Sequence, residues 1–580
     1  KEPAPAAAPA KGALLVPGDA GLLEVWGERA HCFVQSIGSA DLSGLGEWEG
    51  AHTLLLDKEL GLVDDVEVLR VPDPTPGWRR YRFFTSPERH ASVRTWLRAV
   101  SDGYVLFDAE VHRKVEGPVI VEDLTGEGPA RGGTPWACAG LYGPEARQAL
   151  VALGIDPPGP GRGVCAGEAL IVAGRMGEAR FHLAGPAQAV AGLSGKLRAA
   201  AGDGATRSGW RARSGLPAYA SGERLDLAAL AKRLPGLAEP RKVYFVGQHG
   251  FEAAEDPLPR HEWAPTEQPL RRTPLFEEHL KLTRKGNLVP FAGWEMPVVY
   301  TNIAEEHEAV RKTCGLFDVA HMGVLDVQGE HAQRFLDAIT TNYVAWLRDG
   351  QVHYSYLADT DGSLLDDILV YRLAWDRFMV VVNAANADKD LAHIQAMASG
   401  RYRVDEARPW KRPELPVQVR NLKERGAGAD MRVDLALQGP MAPRILAAVS
   451  DNRPLLDALR RKGRFEFVQG ELLPGMDVII ARTGYTGAVD GVELYVHPDQ
   501  LVELWRALLA KGEAFGLKPA GLGARDSTRT EAGFPLYGHE LAGPWGIDPM
   551  EAGYGSSVKF HKPFFVGREE IGRASCRERV

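Results

Sequence analysis

The sequence has little cysteine, no long apolar run and no excess of positive charge. Its five cysteines among 580 residues show no C-x-x-C spacing, so neither a disulfide framework nor a zinc site is expected. A reducing cytoplasm is the expected compartment. No apolar run approaches about 18 residues, so no transmembrane helix is predicted. The net charge of −8 argues against nucleic acid or an anionic membrane as the main partner.

The segment from Tyr354 to Arg372 is predicted to be a strand, a turn and a second strand. Asp361-Gly362 supplies the turn, and the residues that follow Asp366 and Asp367 favour strands. Successive side chains of a strand point to opposite faces, so one carboxylate faces water and the other the interior. An acid held among aliphatic side chains is a candidate site residue. A solvated acid at a strand end is the alternative on spacing alone.

The same pattern occurs about 300 residues earlier in the chain. In HTLLLDKELGLVDDVEVLR, residues 52–70, the Leu-x-Asp pattern, the turn, the Asp64-Asp65 pair and the last arginine fall in register with residues 354–372. A repeat at this spacing indicates duplication of whole domains rather than a solenoid.

The repeat divides the chain into predicted domains. They are a flexible Ala/Pro tether (1–17), a first copy (18–250), a Pro-rich linker (251–270), a second copy (271–570) and a tail (571–580) that continues no pattern and is expected to be non-native. Within the second copy, residues 403–432 carry several prolines and charges and are predicted to be a mobile loop.

Two further segments of the second copy carry polar groups that the first copy lacks. RTGYTGAVDGVELYV, residues 482–496, has glycines around Tyr485 that permit close approach of a ligand, although an ordinary glycine-rich hairpin loop has the same composition. Glu493 lies on the strand predicted to follow. GLGARDSTRTEAG, residues 521–533, is predicted to be a helix in which Arg525 pairs either with a ligand carboxylate or with acids of its own helix.

Nine motifs of the second copy follow one another as in a known family. They are FAGWEMPVVY (291–300), GLFDVAHMG (315–323), LLDDILVYR, VVNAANADKDL, ALQGP, RTGYTG, GLGARDSTRTEAG, LYGHE and FFVGRE. In this order they resemble the T-protein of the glycine cleavage system, the tetrahydrofolate-dependent aminomethyltransferase family, over about residues 273–570. The first copy resembles the same superfamily only distantly, and we expect it to be a degenerate half that keeps the scaffold without the ligand groups.

The resemblance implies an α+β fold class. Each of two tandem T-protein-like copies is expected to form a pseudo-barrel of α+β subdomains around a central folate cavity. A further C-terminal β-barrel domain is also implied, and we expect it to be largely missing from this chain.

The resemblance also implies a reaction and a site. N5 of tetrahydrofolate is expected to attack the aminomethyl carbon on the lipoyl arm of an H-protein-like carrier, with release of ammonia and formation of methylene-tetrahydrofolate. Asp366, the first of its pair, matches the essential acid of the family and is the predicted catalytic residue. Glu493 and Arg525 match the folate-binding acid and base. The other positions expected to line the cavity are Met322, Tyr354, Asn383, Tyr485 and Tyr537.

Two alternatives to this reaction remain open. One is the folate-dependent demethylase half of a dimethylglycine- or sarcosine-oxidising system, which the absence of a G-x-G-x-x-G flavin fingerprint disfavours. The other is a non-catalytic folate-binding scaffold protein, which the presence of Asp366, Glu493 and Arg525 together disfavours.

Overall fold

The chain forms two compact units. In the computed structural model the described residues are 13–103, 107–108, 110, 112–126, 134–174, 180–201, 224–250, 256–266, 268–413 and 416–577. The first unit is Lys1–Asp256 with Phe560–Pro563, and the second is Pro257–Lys559 with Phe564–Val580. The division after Asp256 lies inside the predicted linker. In the described part of the chain, no helix is both long enough and apolar enough to cross a membrane.

The first unit contains antiparallel five-stranded sheets. Its strands are β1 (Leu14–Pro17), β2 (Gly21–Gly27), β3 (Gly50–Leu56), β4 (Leu62–Thr75), β5 (Trp78–Thr85), β6 (Ile120–Asp123), β7 (Trp136–Tyr142), β8 (Gly163–Ala166), β9 (Ala169–Ala173) and β10 (Arg180–Pro186). Its helices are α1 (Ala30–Ile37), α2 (His90–Ser101), α3 (Ala146–Ala152), α4 (Ala187–Ala201) and α5 (Leu227–Arg233). The strand orders are β3-β4-β5-β2-β6 and β8-β9-β10-β7-β1.

The second unit is also built on mixed α/β layers. Its strands are β11 (Leu288–Phe291), β12 (Trp294–Pro297), β13 (Cys314–Asp318), β14 (Gly323–Gln328), β15 (Gln351–Ala358), β16 (Leu364–Ala374), β17 (Arg377–Val382), β18 (Gln418–Asn421), β19 (Val433–Gln438), β20 (Phe467–Leu473), β21 (Met476–Ala481), β22 (Val492–Val496) and β23 (Leu517–Pro519). Its helices are α6 (Phe276–Leu282), α7 (Ile303–Lys312), α8 (Ala332–Ile339), α9 (Ala387–Ala398), α10 (Ala442–Val449), α11 (Arg453–Arg460), α12 (Pro498–Gly512), α13 (Leu522–Glu531) and α14 (Arg568–Arg577).

The larger sheets of the second unit repeat the strand orders of the first. One has the order β15-β16-β17-β14-β18, and the other has the order β20-β21-β22-β19-β13-β23, in which β23 is an added parallel edge strand. Each order has two free ends, so none of the sheets formed by the described residues closes on itself. The predicted α+β class is confirmed in its coarse form, whereas the expected pseudo-barrel is not a closed β-barrel in either unit.

The predicted hairpin is confirmed. Strands β15 and β16 pair antiparallel, and Gly362 in the turn has φ +84°, which glycine adopts without strain. Leu357 lies opposite Asp366, and the register shifts directly after this pair. In the first unit, β3 and β4 pair with the same shift after Leu55, which lies opposite Asp64.

Two predictions about irregular segments were wrong in part, whereas the expected non-native origin of the tail, which a helix enters, stays a prediction. Strand β1 lies within the predicted tether and pairs with β7, while residues 1–12 of that tether lie outside the described residues. Helix α14 extends into the predicted tail as far as Arg577, and residues 578–580 lie outside the described residues. The predicted loop 403–432 contains β18, which pairs with the edge of β14.

Alternation along β19 separates the core of the second unit from a second, polar face. Val433, Leu435 and Leu437 are buried in one hydrophobic cluster with residues of α10 and α12. In α12, Leu501, Leu504, Trp505 and Leu508 recur at helical spacing and are fully buried in that cluster. The residues between them on β19 therefore point away from these helices.

We expect Trp505→Ala to destabilise the second unit by about 3–5 kcal/mol, because it removes the largest fully buried side chain and leaves a cavity. Urea unfolding followed by circular dichroism measures the change. Val502→Ala, at a half-buried position of the same helix, is the matched control and should cost about 1 kcal/mol. Equal losses in the two variants would contradict the assignment of Trp505 to the core.

Candidate functional site

A cavity of about 520 Å³ lies in the second unit. Its walls come from β15, β16 and β17 on one side, and from β19, β22 and the start of α13 on the other. The volume is within the range of about 300–1,000 Å³ that is usual for small-molecule sites. Charged and hydroxyl groups interrupt a mainly apolar lining, which is typical of a site that orients its ligand.

The cavity collects most of the residues predicted from the sequence. Six of the eight line it, namely Met322, Tyr354, Asn383, Tyr485, Glu493 and Arg525. Asp366 and Tyr537 do not line it. Residues outside these eight also contribute, and the most polar of them are Asp367, Asp434, Thr483, Arg464 and Lys559.

The Asp366-Asp367 pair is split between two faces of β16, as predicted. Asp366 is fully buried and accepts hydrogen bonds from the backbone N of Asn383 (2.8 Å), from Asn383 Nδ2 (2.9 Å) and from Asn386 Nδ2 (2.6 Å). Asp367 lines the cavity and accepts from Tyr354 Oη (2.9 Å) and Asn383 Nδ2 (2.7 Å). The acid that faces the cavity is therefore Asp367 and not Asp366, which lies behind the cavity wall.

Asp390, on the first turn of α9, completes the hydrogen bonding of Asp366. It is fully buried, and no described residue donates a hydrogen bond to either of its carboxyl oxygens. Its carboxyl group is within hydrogen-bonding reach of Asp366. Burial, followed by the charge of Asp366, raises the pKa of Asp390 well above its usual range. Asp390 is therefore placed so that a proton can bridge the two carboxyl groups.

Asp367 is prepared to exchange a proton near neutral pH. Burial, followed by the negative charge of Asp366, raises the pKa of Asp367 to about 7, against the hydrogen bonds from Tyr354 and Asn383. A carboxyl group with this pKa can act as a general acid or base at physiological pH.

Tyr537 supports this wall from behind. Its hydroxyl donates to the carbonyl oxygen of Leu364 (3.0 Å), and its ring lies 5.0 Å from Nζ of Lys389. Lys389 donates to the carbonyl oxygen of Leu365 (2.6 Å). Tyr537 and Lys389 thus fix the backbone just before Asp366, which explains why the cavity does not reach Tyr537.

The opposite wall carries an acid pair and one arginine. Glu493 and Asp434 are both buried there, and Thr483 Oγ1 donates to the Glu493 carboxylate. Burial raises the pKa of Glu493, although Thr483 and Arg525 oppose the effect. The Arg525 guanidinium lies 5.3 Å from the ring centre of Tyr485, and no described carboxylate forms an ion pair with it.

The two arginines of the predicted helix α13 have different surroundings. Arg529 pairs with Asp526 (2.8 Å) and Glu540 (2.8 Å), which is the structural alternative raised by the sequence. Arg525 instead lines the cavity, so the two arginines do not share a function.

The glycines of the RTGYTG loop serve a packing purpose. A Cβ atom at Gly484 would lie 2.2 Å from Gln438 Oε1, and one at Gly491 would lie 2.5 Å from the same atom. The Gln438 amide donates to the carbonyl oxygens of Thr483 (3.3 Å) and Val492 (3.1 Å). The close approach expected of a ligand is thus made by a side chain from β19.

The exposed lining residues mark the rim of the cavity. Arg464, Phe465 and Ser556 are exposed, and Lys559 is half-buried beside them in the lining. No sequence motif pointed to these residues. Asp434 also lies outside the motifs, since ALQGP begins two residues later at Ala436.

In the equivalent hairpin of the first unit, the acids contact other side chains of the same unit. Asp64 accepts from the backbone N (3.0 Å) and Oγ (2.7 Å) of Ser86, and burial raises its pKa to about 7. Glu67, three residues further along β4, contacts His182 at 2.9 Å. A cavity of about 10 Å³ is lined by Glu67 and Phe84, which is room for one water at most.

Comparison with known proteins places these features in context. Residues 277–562 match the family model described as "GCVT N-terminal domain". The aminomethyltransferase of Halothermothrix orenii is 43% identical over 302 residues, which are 52% of this chain and 76% of the relative. The aminomethyltransferase of Desulfitobacterium hafniense is 42% identical over 302 residues, 52% of this chain and 74% of the relative. The crystal structure of glycine cleavage system aminomethyltransferase T from Bartonella henselae is 32% identical, with a TM-score of 0.44, and covers 53% of this chain and 75% of that one.

The pKa of Asp367 predicts a dependence of stability on pH. The folded chain holds this proton up to about pH 7, whereas the ordinary value is 3.8, so the folded state binds the extra proton between these values. The stabilisation by this proton is present at low pH and is lost as pH rises through about 7. We expect the melting temperature of Asp367→Asn, measured relative to that of the parent chain at the same pH, to increase as pH rises from about 4.5 to 8.

Thermal unfolding followed by circular dichroism across that range measures the difference. Ile368→Val is the control, because it changes the next residue of the strand without adding or removing a titrating group. A melting difference for Asp367→Asn that stays constant with pH would show that Asp367 titrates normally.

Proposed function

The chain belongs to the aminomethyltransferase family, and we propose that its second unit transfers an aminomethyl carbon from the lipoyl arm of a carrier protein to tetrahydrofolate, with release of ammonia. The observation that carries this proposal is that Asp367, the acid Glu493 and the arginine Arg525 all line the same cavity. The proposal assigns the proton-transferring role to Asp367, and gives Asp366 the role of holding it in place.

The residues of the cavity fit a reduced folate. Glu493 and Arg525 offer an acceptor and a charged donor for the polar edge of a pterin ring. Val381, Ile368 and Tyr485 supply apolar and aromatic surface for its faces. When bound, tetrahydrofolate supplies the nitrogen that accepts the one-carbon unit.

Asp367 is the residue that we assign to proton transfer. Its pKa of about 7 lets it be either protonated or ionised during turnover at neutral pH. Tyr354 and Asn383 hold its carboxyl group in one orientation, and the negative charge stabilises positive charge that develops in the cavity.

The rim is the proposed entry for the lipoyl arm. Phe465 is 39% exposed and adjoins the cavity, so a dithiolane-derived chain can pass over an apolar surface there. The carrier would then dock on the surface around Arg464 and Ser556.

The first unit is proposed to be a degenerate tandem copy without a folate site. The shared strand orders and the shared register shift in the hairpin support a common origin. Paired ions around Glu67 occupy its hairpin face, and the small cavity there does not admit a pterin. We therefore expect one folate per chain.

The assignment of the acid is tested with Asp367→Asn and Asp366→Asn. Ammonia release from an aminomethylated lipoyl carrier is measured together with methylene-tetrahydrofolate formation. We expect Asp367→Asn to lower kcat by about 10²–10⁴-fold and Asp366→Asn to lower it less, because only Asp367 lines the cavity. Asp361→Asn, in the exposed turn of the same hairpin, is the control. Full activity of Asp367→Asn with loss of activity in Asp366→Asn would return the catalytic role to Asp366.

Binding is tested by calorimetric titration of tetrahydrofolate. We expect one site per chain, and Arg525→Ala should weaken it by about 10–100-fold through loss of a charged hydrogen bond. Arg461→Ala, on the exposed end of α11, is the matched control and should bind as the parent chain does. Two sites per chain would contradict the assignment of the first unit as degenerate.

A further inference from the structure

Asp434 is a buried acid for which the fold provides incomplete hydrogen bonding. It lies on β19, is 2% exposed and lines the cavity. Oδ1 is buried, and none of the described residues donates a hydrogen bond to it. The Tyr495 hydroxyl is within hydrogen-bonding reach of the carboxyl group, and that same hydroxyl lies 2.8 Å from Tyr371 Oη.

Register places Asp434 beside Glu493 on one face of the sheet. Asp434 lies opposite Tyr495, and Ala436 lies opposite Glu493, in the antiparallel pair of β19 and β22. Residues two apart on a strand share a face, so the two carboxyl groups are diagonal neighbours facing the cavity. Both residues line the cavity.

The buried carboxyl group of Asp434 is expected to destabilise the folded protein when no ligand is bound. A buried carboxyl oxygen without a donor destabilises a folded protein, whereas leucine at the same place on a strand between Val433 and Leu435 would not. Burial, followed by the charge of Glu493, raises the pKa of Asp434 well above its usual range. A buried acid that lowers the stability of the fold and lines a cavity is typical of a ligand contact.

We propose that Asp434 binds the pyrimidinone edge of the pterin ring beside Glu493 and selects for that ring. The inference rests on the proposed function, since it names a contact of the folate in the same cavity. That edge of a tetrahydropterin carries an amino group, a ring N–H and a carbonyl oxygen in this order, and so presents two adjacent donors followed by one acceptor. A carboxylate next to a protonated carboxyl group offers the complementary acceptors and one donor.

The test uses the full chain with Asp434→Leu and Asp434→Asn. Calorimetry measures the binding of tetrahydrofolate and of 6-methyltetrahydropterin, which keeps the ring and lacks the benzoylglutamate tail. We expect Asp434→Leu to weaken both ligands by the same factor of about tenfold or more. Asp434→Asn, which keeps a donor and an acceptor, should restore most of the affinity. Asp477→Leu, at an exposed acid on β21 of the same sheet, is the control.

Melting temperature of the free chain separates a ligand contact from a structural role. We expect Asp434→Leu to melt no lower than the parent chain, because it removes an incompletely bonded buried acid. If Asp434→Leu binds both ligands as the parent does, this inference fails and the proposed function stands. Weaker binding together with a lower melting temperature would identify a structural role and also overturn it. If the parent chain binds no tetrahydrofolate, the proposed function fails and the inference falls with it.

Discussion

The site depends on how Asp366 is held behind the cavity wall. A fully buried carboxylate is stable only when its oxygens receive enough hydrogen bonds, and here Asn383 and Asn386 supply them. Asn386 and Asp390 belong to the start of α9, so this network ties the hairpin to that helix. Because neighbouring residues of a strand point to opposite faces, fixing Asp366 also fixes Asp367 in the cavity. One buried interaction thereby sets both the geometry and the proton affinity of the proposed catalytic acid.

Carboxyl groups lie at or directly behind both walls of the cavity. Asp366 with Asp367 forms one carboxyl pair, and Asp434 with Glu493 forms another on the facing wall. Burial raises the pKa of all four carboxyl groups, and that of Asp367 to about 7. Arg525 is the one arginine of the inner lining described here, while Arg464 lies at the rim. Such an arrangement lowers stability and raises the affinity for a ligand rich in N–H donors.

Local sequence was sufficient for the hairpin and for the alternation of the Asp pair, but not for which member faces the cavity. The side that each acid takes depends on the register in which Leu357 pairs with Asp366 and Tyr356 with Asp367, since a slip of one residue exchanges the two faces. The need for glycine at position 484 could not be predicted from the local sequence either. The atom that a Cβ there would clash with belongs to Gln438, which is 46 positions away (484 − 438). Strand β18 was missed because edge pairing with β14 outweighs a proline-rich context. Family motifs located six lining residues, whereas Asp434 lies outside the motifs and needed the tertiary structure.

The two units show why a conserved scaffold is not enough for a site. Counting from Asp64 and Asp366, His52 takes the place of Tyr354, and Glu67 takes the place of Leu369. Tyr354 and Leu369 line the large cavity, whereas His52 and Glu67 are buried 4.0 Å apart, and Glu67 also contacts His182. Arg180 and His182 lower the pKa of Glu67 despite its burial, so it stays ionised and needs these partners. Side chains that must satisfy one another cannot also present free polar atoms to a ligand. The same strand order therefore supports a binding cavity in one unit and a closed ionic core in the other.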